Sequence, residues 1–80
     1  MYSVDFIVDD VQGSHNHGFS KFLIFNSEAE AILNIKQFIT DYMFDDYQIK
    51  KNNYNETEIY CSDFTYYACV IFNNTKINFG

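Results

Sequence analysis

The chain has 80 residues, 48 % hydrophobic and 20 % aromatic, with no proline and three glycines, which excludes a linker-rich or disordered polypeptide and suits a single domain over 1–80 with a dense core. Eleven carboxylates stand against five lysines and no arginine, giving a net charge of −6. That balance counts against direct nucleic-acid binding and against anionic membranes, both of which draw on Lys and Arg; it favours a basic partner, or plain solubility.

Met1 to Val8 alternates in polarity, with Tyr2, Val4, Phe6 and Val8 on one face and Ser3 and Asp5 on the other. This is the pattern of a half-buried strand, ended by Asp9 and Asp10. Val11 to Gly18 has the composition of a solvated loop. His15 and His17 form an H-x-H within it, but zinc needs three or four protein ligands and no nearby C-x-x-C or H-x-x-x-H supplies the rest. Phe19 to Phe25, FSKFLIF, is apolar on both sides. It predicts a strand covered on both faces or lying mid-sheet, paired antiparallel with the first.

Ser27 to about Phe44 is the long helix around which the chain is organised. Ser27 and Glu30 have the spacing of a capping box, and Glu28 and Glu30 place negative charge at the positive end of the helix dipole. Ala31, Ile32, Ile35, Phe38, Ile39, Tyr42 and Met43 share a stripe about 140° wide. Burying the large members stabilises by about 1.5–3 kcal/mol each. Leu33 and Phe44 fall on the polar side, where they pack on a loop or touch a partner.

Beyond Asp45 and Asp46, Tyr47 to Lys50 predicts a short strand, Lys51 to Asn55 a turn, and Glu56 to Cys61 the return strand. Thr57, Ile59 and Cys61 share the inner face of that strand, while Glu56, Glu58 and Tyr60 take the outer one. Ser62 and Asp63 turn the chain into Phe64 to Phe72, whose β-branched and aromatic content and length predict a central strand. Asn73-Asn74 suits a two-residue hairpin turn leading to a short last edge strand, TKINF, blunted by Lys76. The fold class is α+β: a single antiparallel sheet of five or six strands, order β-β-α-β-β-β, with one amphipathic helix on one face. The second face is left uncovered, so it is either polar or partly apolar and used. Cys61 and Cys69 read as two buried thiols rather than a disulfide framework.

The chain carries no nucleophile elbow, P-loop, dinucleotide glycine motif or H-E-x-x-H. The pairs Asp9-Asp10 and Asp45-Asp46 lack the ligand spacing of a calcium loop. Both cysteines lie in apolar surroundings that do not activate a thiolate. The expectation is a protein that is not an enzyme and needs no cofactor or metal. No signal peptide, membrane span or lipidation motif is read, so a cytoplasmic location is expected.

What remains is surface, where tyrosines are interleaved with carboxylates. Tyr offers a rigid apolar body with a polar tip, and carboxylates beside it suit a partner rich in Lys and Arg. Two placements are expected: the helix C-terminal turn, with Asp41, Asp45, Asp46 and Tyr47, and the 54–63 hairpin, with Tyr54, Glu56, Glu58, Tyr60 and Asp63. In size, acidity, absence of motifs and richness in Asn, Ile, Lys, Tyr and Phe, the chain resembles small phage-encoded inhibitors of bacterial defence, anti-CRISPR proteins in particular. The resemblance spans the whole chain and carries over no residue. It implies an inhibitor in the bacterial host cytoplasm that binds a nucleic-acid-handling complex and blocks DNA or guide access. Immunity proteins and antitoxins that cap a basic toxin or nuclease share these traits. The rival readings are a structural or assembly module that self-associates through its open sheet face or edge strand, and an enzyme or metal protein using His15 and His17.

Overall fold

The computed structural model describes residues 1–10, 18–43, 46–62 and 66–79. The H-x-H pair, Phe44, Asp45 and Asp63 lie outside these residues. Among the described residues, five strands and one helix follow in the order β1 (Tyr2–Asp10), β2 (Phe19–Phe25), α1 (Glu28–Tyr42), β3 (Gln48–Lys51), β4 (Glu56–Ser62) and β5 (Tyr66–Asn73). They form one antiparallel sheet in the spatial order β2-β1-β5-β4-β3 with the helix against one face. The α+β architecture is therefore the one the sequence predicts, and β5 is central as expected from its apolar run.

The period-2 alternation of a strand decides which residues meet the helix. Val4 opposes Phe72, Phe6 opposes Val70 and Val8 opposes Ala68, while Ile59 opposes Val70 from the other side. All of these are buried, together with Ala31, Ile35, Phe38, Ile39 and Met43 of the helix stripe. Ile32 and Tyr42 sit at the margin of this core. Phe38 anchors the aromatic part, its ring centroid 5.0 Å from Phe6 and 4.9 Å from Tyr42. The helix begins as predicted, with the Ser27 hydroxyl accepting from the Glu30 amide at 3.1 Å. Leu33, on the polar side, is exposed to solvent.

Two expectations are corrected. β2 is an edge strand, not a central or doubly covered one, and Ser20 to Ile24 are all exposed. β1 pairs with β2 along one edge and with β5 along the other, so among the described residues no strand lies on the outer side of β2. The segment after β5 is not a strand. Asn73 Oδ1 accepts from the Thr75 amide at 2.9 Å and its hydroxyl at 2.7 Å, and the Asn73 carbonyl accepts from the Lys76 and Ile77 amides. This side-chain-capped turn replaces the expected two-residue hairpin. It drops Ile77 into the core and sets Phe79 6.1 Å from the Phe72 ring. The helix lies over β1, β2 and β5, and Ile77 and Phe79 join that core from the chain's last residues.

The cysteines occupy opposite faces. Cys61 opposes Ala68 on the helix side and its Sγ donates to the Tyr42 carbonyl at 3.8 Å, whereas Cys69 opposes Tyr60 on the other side. Their side chains diverge across the sheet, so the pair cannot close a disulfide.

Candidate protein-binding face

The face of the sheet turned away from the helix is assembled row by row from the strand register. One row runs Phe22, Asp5, Ile71, Glu58 and Lys50; the next runs Ser20, Ile7, Cys69, Tyr60 and Gln48. Asp9, Tyr67 and Ser62 form a third, and Glu56 lies beside Asn73 at the opposite end. With strands about 4.8 Å apart, the five-strand width is about 19 Å.

The face has two halves. At the β2 end, Phe22 and Ile24 are 60 % and 54 % exposed. Toward β1, β5 and β4 it carries Asp5, Asp9, Glu56 and Glu58 against a single lysine, Lys50, among the described residues. Lys50 Nζ is 3.9 Å from Glu58 Oε1 and 5.0 Å from the centroid of the Tyr60 ring. Tyr60 donates its hydroxyl to Gln48 Oε1 at 2.9 Å, which ties the ring to the edge strand β3. Glu56 Oε1 accepts from Asn52 Nδ2 at 3.1 Å.

Beneath these groups the face is closely packed. Cys69 is fully buried although no element among the described residues covers it, being flanked by Ile7 and Tyr60 across the strands and by Tyr67 and Ile71 along its own. Burial pushes its thiol above the ordinary range, against the opposing pull of a hydrogen bond with Tyr67. The Tyr67 hydroxyl is likewise pushed well up, first by burial and then by that hydrogen bond. Asp5 is raised chiefly by partial burial between its neighbours and further by the charge of Glu56. Its negative form is thus held at a cost that a cation above the face would relieve.

The structure divides the residues singled out from sequence. Glu56, Glu58 and Tyr60 share the open face. Asp46 joins them at its border, where it lines a cavity of about 130 Å³ with Gln48, Tyr60, Cys61 and Ser62. Tyr47 is exposed just before β3, and Tyr54 projects from the β3–β4 turn. Asp41 is elsewhere, on the helix side, accepting from Gln37 Nε2 at 3.0 Å and facing a groove with Lys21 and Leu23. Asp5 and Tyr67 belong to the face although neither was singled out for it; the alternation that put Val4 and Phe6 inside already directed Asp5 outward.

Among the described residues no group of three or more His, Cys, Asp or Glu side chains is placed to hold a metal ion, and no helix is long and apolar enough to cross a membrane. Compared with protein-family models, curated proteins and solved structures, the chain matches none.

Proposed function

We propose that the protein is a non-enzymatic inhibitor that lays the open face of its sheet on a basic, nucleic-acid-binding protein, as its resemblance to anti-CRISPR proteins implies. The observation that carries this reading is the meeting of Asp5, Glu56 and Glu58 with Tyr60 and Tyr67 on one uncovered, tightly packed face. A rigid platform costs little ordering entropy on association. Its carboxylates accept guanidinium or ammonium groups, and its phenol rings offer flat surfaces against which the same cations stack. Such a surface competes with phosphates for the partner's basic groove and steers association electrostatically. A basic toxin or nuclease capped by an immunity protein presents the same chemistry, so the identity of the captured partner separates these two uses.

The test is affinity capture from bacterial lysate followed by washes of rising ionic strength, then a nucleic-acid binding assay on the captured complex. The expected result is a basic partner released by salt, whose nucleic-acid binding is blocked by the native protein. Glu56→Lys with Glu58→Lys should weaken capture at least tenfold, while Asp41→Lys on the helix side leaves it intact. Capture indifferent both to salt and to the Glu56/Glu58 reversal would overturn the reading.

A further inference from the structure

We propose that β2 is a self-pairing edge, and that two copies join antiparallel along Phe19–Phe25 to make one ten-stranded sheet about a twofold axis. This goes beyond the inhibitor reading and does not depend on it.

The two edges of the sheet are built differently. β3 is four residues long and carries Lys50 and Lys51, the usual protection against strand addition. β2 is seven residues long with no proline, and exposes Phe22, Leu23 and Ile24 in succession. Its one charge, Lys21, lies over the Phe19 ring of its own strand, 5.5 Å from the centroid, instead of standing guard over the edge. Among the described residues, no strand neighbours the backbone donors and acceptors on the outer side of β2. Apolar side chains on both faces are what a strand interior to a sheet carries, and a second copy makes β2 interior.

Self-complementarity selects the occupant. In antiparallel pairing about a twofold axis, residues directly opposed lie on the same face. Centring on Phe22 sets Phe22 against its mate, Leu23 against Lys21 and Phe19 against Phe25. Centring on Leu23 sets Phe22 against Ile24. Both registers oppose apolar groups on the open face and keep the two Lys21 ammonium groups apart. Charge points the same way. Two chains of net charge −6 repel, and β2 brings no carboxylate of its own to the seam. Across the axis, the β1 carboxylates would be about 14 Å from their mates and those of β4 roughly 30 Å, beyond the Debye length of about 8 Å at physiological salt.

The test is sedimentation equilibrium over a wide concentration range, with hydrogen exchange on the same samples. The expected mass rises toward twice the 9.5 kDa of one chain, and the Ser20–Ile24 amides gain protection with concentration. Phe22→Lys with Ile24→Lys, both on the open face and outside the core, should return the mass to one chain while circular dichroism stays native. Ile49→Lys on the opposite edge should leave the dimer intact. If the double variant fails to fold, the exchange pattern of the native chain decides. A single-chain mass at every concentration, β2 amides that exchange freely in a dimer, or a dimer abolished by Ile49→Lys but not by the β2 variant would each overturn the proposal.

Discussion

The backbone amide of Asn78 donates to the Glu28 carboxylate at 2.7 Å, joining the chain's last residues to the first turn of the helix across 50 positions of sequence. Glu28 therefore acts twice, favourably placed at the positive end of the helix dipole and as the tether that holds Ile77 and Phe79 over the core.

Removing that tether gives the first prediction. A hydrogen bond to a charged acceptor contributes about 1.5–3 kcal/mol. Glu28→Ala should cost about 2 kcal/mol of unfolding free energy in urea titration, and Glu28→Gln, which keeps an acceptor, less than half of that. Ile77 is buried, so Ile77→Ala should cost about 2–4 kcal/mol by leaving a cavity. An Ile77 substitution without effect would mean that the C-terminal segment does not close the core.

The β3–β4 turn offers a second. Asn55 holds φ = 60°, the left-handed region that Asn tolerates and β-branched residues do not. Asn52 braces it by accepting from the Tyr54 amide at 2.9 Å and the Glu56 amide at 3.0 Å through Oδ1. Asn55→Val should destabilise by about 1–2 kcal/mol, and Asn55→Gly should stay within about 0.5 kcal/mol of the native chain. Because the turn positions Glu56, the Val variant should also weaken partner capture where the Gly variant does not.

The helix, the β1 alternation and the central β5 were legible because each is set by a periodic pattern that burial rewards directly. Ser27 capped as its spacing required, and Glu56, Glu58 and Tyr60 faced outward as the alternation around Ile59 required. β2 misled because an apolar run reports a preference for cover without saying what supplies it; here the helix-side core covers only the strand's ends, Phe19 and Phe25. The C-terminal segment misled because Thr75 and Ile77 have good strand character, while the Asn73 side chain captures the Thr75 amide locally and bends the chain first. The tether to Glu28 has no local signature at all. Asp5 joined the candidate face through the β1–β5–β4 register, and strand order between distant segments leaves little trace in a single sequence.

The thiols provide a third prediction. Cys69 is fully buried and its thiol is pushed up by that burial, whereas Cys61 is partly exposed on the other face. A neutral alkylating reagent should modify Cys61 in the native protein, and Cys69 only at the rate of global unfolding. Mass spectrometry of the modified peptides, with and without urea, separates the two. Rapid native modification of Cys69 would show that the packed layer of Ile7, Tyr60, Tyr67 and Ile71 opens readily.

Asp5 yields the fourth, a pH dependence of definite sign. Its carboxyl is raised above the ordinary range in the folded chain by partial burial and by Glu56. Between the unfolded value and the raised folded value, the folded state holds more protons than the unfolded one, so this group's contribution to stability falls as pH rises through that window. Asp5→Asn removes the fall: the variant should be more stable than the native chain at neutral pH, with the difference shrinking as the solution is acidified below the ordinary carboxylate range. Glu56→Gln should lower the Asp5 titration followed by NMR, but by less than its full displacement, since burial is the larger cause. Binding should carry the same signature. A cationic partner stabilises the ionised form, so capture strengthens as pH rises through the Asp5 titration, and Asp5→Asn loses both that dependence and part of the affinity. An Asp5 that titrates in the ordinary range, with binding independent of pH there, would remove the electrostatic basis for placing the partner on this face.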